Sequence, residues 1–116
     1  MTAQALTALQ DSIQHWERLA SGDRNKDEFP SSGNCALCTA FYYHGDLLTV
    51  CQGCPIRNFT GQTRCHDTPF NLAADLARDN KSFRMTNKKM NTKKFKDAAA
   101  DEVEFLKSLL PEQNGL

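Results

Sequence analysis

Five cysteines fall between Cys35 and Cys65, and four of them form two CxxC pairs, Cys35/Cys38 and Cys51/Cys54, either side of Thr39 to Val50. Zinc takes four ligands in a tetrahedron, with sulfur at about 2.3 Å, and a CxxC turn supplies two thiolates from one tight piece of backbone. Two such turns complete a set. The spacing therefore points to zinc held by Cys35, Cys38, Cys51 and Cys54. Cys65, followed by His66, is a fifth thiol that can replace one of the four. An iron–sulfur cluster is the other metal chemistry to weigh, because "CQGCP" echoes the Cys-Pro of ferredoxins. The ferredoxin run of three closely spaced cysteines is absent, which favours zinc.

Reactive roles for the same residues are weaker. A redox CxxC opens a helix that follows a strand, where the helix terminus lowers the thiol pKa; no βαβ pattern surrounds these pairs. Zinc deaminases combine H-x-E with P-C-x-x-C, and His15, Glu17, Cys35 and Cys38 fit that pattern loosely. The proline before the first cysteine is missing, and the chain lacks strands for a deaminase sheet. A redox or deaminase-like metalloenzyme is thus the runner-up to a non-enzymatic zinc protein.

The elements that must position these thiols follow from spacing. A chain of 116 residues fits one domain, 1–116, with a modest core. Leu6, Leu9, Ile13, Trp16 and Ala20 recur at steps of three and four, so residues 1–22 predict an amphipathic helix, started by Thr2 or Thr7 and ended by Gly22. Residues 23–34 read as a polar connector. Thr39 to Val50 is rich in aromatic and β-branched residues and breaks at "HGD", which predicts a β-hairpin with its turn between His44 and Gly45. That register pairs Tyr43 with Asp46, Phe41 with Leu48 and Cys38 with Cys51, bringing both CxxC pairs to one end of a cysteine ribbon over 35–66. A helix follows over 68–79, with Thr68 as N-cap, Pro69 at its first position and Phe70, Ala73, Leu76 and Ala77 inward. Residues 81–91 read as a basic loop. Phe95, Ala99, Val103, Leu106 and Leu110 mark a last helix over 93–110, stopped by Pro111. The predicted class is α+β: a small zinc-stapled domain whose hairpin ribbon packs with about three helices.

Charge is balanced overall, 14 basic against 14 acidic residues, but it is segregated along the chain. Residues 81–96 hold 7 basic and no acidic groups, while residues 97–116 hold 1 basic and 5 acidic. Lys88, Lys89, Lys93 and Lys94 lie in this block, interleaved with Phe83, Met85 and Phe95. Phosphate backbones attract such patches and aromatics stack on bases, so a nucleic-acid interface is one reading. The neutral total and the acids from Asp97 onward favour a protein partner instead. Oligomeric state is not legible. No run reaches the roughly 20 apolar residues a membrane span needs, and "MTAQALTALQDSIQHW" lacks the basic and apolar regions of a secretory signal. A soluble cytoplasmic protein is the expectation, and a reducing compartment favours metal ligation over disulfides.

"SIQHWERL", "CALC", "CQGCP", "TGQTRCHDTPF" and "EVEFLKSLL", in this order, resemble a group of small cysteine-motif proteins of bacteriophages and prophages whose function is unassigned. The resemblance spans most of residues 11–110, with Phe70 where similar sequences carry Tyr. It implies an accessory protein in the bacterial host cytoplasm that binds a host or phage macromolecule, inhibition of a host system being one form of that role. It implies no particular activity.

Overall fold

The computed structural model describes residues 2–31, 36–37, 40, 54–60, 68–79 and 84–111. Five helices are named among them: α1 (Ala3–Ser21), α2 (Pro55–Thr60), α3 (Pro69–Ala77), α4 (Asn87–Met90) and α5 (Lys93–Ser108).

α1 starts where Thr2, in extended backbone, accepts the Ala5 N–H on its hydroxyl at 3.0 Å, satisfying an amide that the first turn leaves open. It stops at Gly22, whose φ of 90° lies in the left-handed region and whose N–H donates to the Arg18 carbonyl at 3.0 Å. A Cβ at Gly22 would stand 3.2 Å from Lys96 Nζ, so the end of α1 abuts the first turn of α5. Leu9, Ile13, Trp16 and Leu19 form the buried face of α1. α5 opens on Thr92, whose hydroxyl accepts the Phe95 N–H at 3.2 Å. Its buried face is Phe95, Ala98, Ala99, Glu102, Val103 and Leu106.

α5 packs against both α1 and α3. Small residues make the second approach close: Ala73, Ala74 and Ala77 of α3 are buried, as are Ala98 and Ala99 of α5. Trp16 of α1 reaches α3 as well, meeting the Phe70 ring edge-on with centroids 5.9 Å apart. Trp16 is 2% exposed and Phe95 fully enclosed; burying a large apolar side chain contributes about 1.5–3 kcal/mol, so these rings anchor the core.

Beyond α3 the chain turns back through an antiparallel bridge between Arg78 and Met85, with the Asp79 N–H on the Arg84 carbonyl at 2.8 Å and the Thr86 N–H on the Ala77 carbonyl at 3.0 Å. Thr86 then caps α4 by accepting the Lys89 N–H at 3.2 Å. The stretch expected as a basic loop over 81–91 therefore contains a helical turn. Met90, 1% exposed, is why it forms: one apolar side chain among the lysines reaches the core.

The α+β class is corrected. Of the described residues 70% are helical and none belongs to a sheet; the bridge at Arg78 and Met85 is the extended pairing found among them. Ala36, Leu37 and Ala40 are helical, although the ribbon reading puts them in a knuckle and at the start of a strand. Packing is the physical reason. Leu37 is 2% exposed in the core, and Ala36 and Ala40 pack on that core at i, i+4, which is helical rather than alternating spacing. Strand propensity from the nearby aromatics yields to such tertiary contacts. Phe41 to Val50, and with them the hairpin register, lie outside the described residues. Among the described residues no helix is long and apolar enough to cross a membrane.

Candidate metal centre

Of the expected ligands, Cys54 is described. It is 6% exposed, sits in the core cluster and immediately precedes Pro55 at the start of α2, beside the buried Ile56. Cys35, Cys38, Cys51 and Cys65 lie outside the described residues, as do His44 and His66. Among the described residues no group of three or more His, Cys, Asp and Glu side chains converges as a metal site. Ala36 and Leu37, the residues between Cys35 and Cys38 in the chain, both pack on the core.

A polar cluster joins α1 to the loop that follows it. His15 and Glu28 are 4% and 6% exposed, and Nδ1 of His15 stands 2.5 Å from Oε2 of Glu28. Arg18, one turn on from His15, donates through Nε to Oε1 at 2.9 Å and through Nη2 to Oε2 at 2.8 Å. The Asn25 N–H adds a bond to Oε1 at 3.0 Å. Arg24 holds the loop in shape by donating to the carbonyls of Asn25, Lys26 and Glu28 at 3.2 to 3.3 Å, its guanidinium 5.5 Å from the Phe29 ring centre. Residues 23–30, expected as a polar connector, thus wrap one buried carboxylate.

Burial alone would push the Glu28 carboxyl up, but the Arg18 guanidinium, the Asn25 amide and His15 outweigh it and bring it down to about 2. Burial pushes the His15 imidazole below its ordinary value, against the opposing pull of Glu28. A carboxylate only accepts hydrogen bonds, so the proton of neutral His15 belongs on Nδ1 and the lone pair on Nε2. Nε2 is buried and has no hydrogen-bond partner among the described residues. His15 and Glu28 border an open cleft of about 1120 Å³, which Asp11, Ala36 and Ala40 also line.

The H-x-E reading separates here. Glu17 is exposed and faces Lys107 of α5 at 3.8 Å, whereas His15 turns inward to Glu28. Residues two apart on a helix do not share a face. The partner of His15 that sequence reasoning missed is Glu28, thirteen positions away and hidden in a run of charged letters.

The four lysines occupy a different surface. Lys88 and Lys94 are exposed, Lys89 is half-buried, and Lys93 pairs with Asp97 at 2.7 Å where both side chains face solvent. α5 has no acidic residue in its first turn. A smaller cleft of about 290 Å³ between Gly22, Arg24 and Lys26 on one side and Asn87 and Asn91 on the other extends this basic surface to the loop after α1. The structure therefore gathers Lys88, Lys89, Lys93 and Lys94 around the α4–α5 junction, at some remove in sequence from the cysteines. Compared with known protein families, curated proteins and solved structures, the chain matches none.

Proposed function

We propose that this protein is a zinc-stapled, non-enzymatic interaction module of the bacteriophage and prophage type its motifs resemble, acting in the bacterial cytoplasm on a host or phage protein. The reading rests most on the lysines at the α4–α5 junction. Lys93, Lys94 and Lys96 stand in the opening turns of α5 with no acid in the first turn. The positive end of the helix dipole lies there, so these charges act against the helix that carries them. Lys93 alone of the four candidate lysines has an ion pair among the described residues, and that pair is solvent-screened. Uncompensated charge at a helix end fits a surface whose partner supplies the missing acids.

An acidic protein face suits it better than a nucleic acid. Asp97, Asp101 and Glu104 are exposed on the same helix and would repel phosphate, while a protein can answer both signs. Zinc has a structural role in this reading, with the two CxxC pairs and the buried Cys54 as its support.

The test compares wild type with a variant carrying Lys88→Gln, Lys89→Gln, Lys93→Gln and Lys94→Gln. Both are cross-linked in host lysate, and both are titrated with duplex and single-stranded oligonucleotides at several salt concentrations. A cross-linked protein that is captured by wild type and not by the variant, with no oligonucleotide binding by either, is the expected result. Tight, salt-dependent oligonucleotide binding that disappears in the variant would overturn it; on duplex DNA the log–log salt slope changes by about 0.9 for every phosphate that a lysine neutralises.

A further inference from the structure

The small cleft between α4 and the loop after α1 is lined by Gly22, Arg24, Lys26, Asn87 and Asn91. We propose that it receives one acidic side chain, a Glu or Asp of the protein partner. Arg24, Lys26 and the two asparagine amides would hold its carboxylate, while the lysines of the α4–α5 junction meet the acids around it. This rests on the partner reading above for what binds, and names the point at which the partner is recognised.

Unspent donors are the first support. Among the described residues, the side chains of Lys26, Asn87, Asn91 and Lys96 have no hydrogen bond or ion pair. Arg24 holds the loop through Nη1 alone, which leaves its other N–H groups uncommitted among the described residues. Asn87 and Asn91, the first residue and the C-cap of α4, stand four positions apart and so share one side of that turn. Gly22 makes room for a further cation: Lys96 Nζ lies 3.2 Å from where a Cβ of Gly22 would stand. A carboxylate offers acceptors and no donors, which is the complement of this set. No acid lines the cleft; Asp23 and Asp27, the chain neighbours of Gly22 and Lys26, line other clefts.

Size and lining favour a protein carboxylate over a nucleotide. The volume of about 290 Å³ falls below the roughly 300–1,000 Å³ of small-molecule sites, which suits a single side chain. None of the five lining residues is aromatic, so a base has no ring to stack on. Lys96 has a competing structural role, since its charge stands at the C-terminal end of α1, where a cation offsets the helix dipole. The exposed side chains of Lys26, Asn87 and Asn91 have no such duty.

The nitrogen-15-labelled full chain, titrated with a hexaglutamate peptide and separately with inorganic phosphate, tests the inference. Hexaglutamate is expected to shift the side-chain amides of Asn87 and Asn91 and the Gly22 N–H. A folded variant carrying Lys26→Gln and Asn91→Ala should bind the peptide about 5-fold more weakly, the scale of one exposed charge pair. Peptide shifts confined to the amides of Lys88, Lys89, Lys93 and Lys94 would overturn the inference while the partner reading stands. So would unchanged affinity in the double variant, or no shift with peptide. Phosphate shifting the same three groups as strongly as peptide would overturn the choice of a carboxylate. If the cleft shifts with peptide but wild type captures no protein from lysate, the partner reading fails and the carboxylate site remains.

Discussion

The cluster around Glu28 and the junction around Lys93 use charge in opposite ways. At Glu28 one acid is enclosed by Arg18, Asn25 and His15, and its oxygens are saturated by the chain itself. At the α4–α5 junction Lys88, Lys93 and Lys94 face solvent, and the one pair found for the four among the described residues is itself exposed. The first arrangement uses its electrostatics to hold a loop and a ring in place. The second leaves them available to something outside the molecule. Substitutions in the two regions should therefore fail in different ways, the inner ones as loss of stability and the outer ones as loss of a partner.

The largest effect should come from the thiols of the proposed zinc centre. Structural zinc contributes apparent binding energies of about 10–16 kcal/mol in small domains, so losing a ligand removes a large share of the folding energy. Cys38→Ser should unfold the protein or move its denaturation midpoint far down, and Cys65→Ser should move it little. Equal losses, or the reverse order, measured by urea denaturation, would show that the ligand assignment is wrong.

Glu28→Ala comes next. It strips an acceptor from the buried Nδ1 of His15 and from the Asn25 amide, and an unmet buried group costs about 1–3 kcal/mol. A loss of about 2 kcal/mol is expected on that scale, read from the same denaturation curves. The pH dependence has a definite sign. The folded carboxyl titrates at about 2, below its ordinary 4.5, so the stability it adds is complete above the ordinary value and is lost as pH falls through about 2. Carbon-13 titration of the Glu28 carboxyl checks this; a midpoint near the ordinary value would mean the cluster does not hold the acid as the geometry indicates.

These two regions are not equally legible in the sequence. The faces of α1 and α5 are written in Leu9, Ile13 and Trp16 and in Phe95, Ala99, Val103 and Leu106, because helical spacing and caps at Thr2 and Thr92 are local signals. Glu28 is not a local signal. In "DRNKDEFP" it looks as solvated as its neighbours, and only the approach of α1 to that loop encloses it. Glu102 hides in the same way: it stands in the acidic run after Asp97, yet it is 2% exposed, leaving Asp97, Asp101 and Glu104 on the outer face. The ribbon expectation fails for a further reason. Aromatic and β-branched letters outweigh Ala36, Leu37 and Ala40, whose one- and four-residue steps already favour a helix. Met90 escapes notice because a single apolar residue among lysines has no period to display.

The smallest effect on stability should come from the outer region. Replacing Lys88, Lys89, Lys93 and Lys94 with Gln removes charges that oppose the α5 dipole and breaks one exposed pair. The stability should stay within the spread of ordinary surface changes, about 0.5 kcal/mol, or rise slightly. Marked destabilisation in a thermal melt would mean that the lysines serve the fold, and the contrast between the two regions would collapse.

A metal held by the thiols is the central claim. Elemental analysis of the purified, folded chain, paired with a thiol count before and after chelation, tests it most directly. The chain should carry about one zinc, with cysteines that become reactive once the metal is stripped. A folded chain with neither zinc nor iron would contradict it.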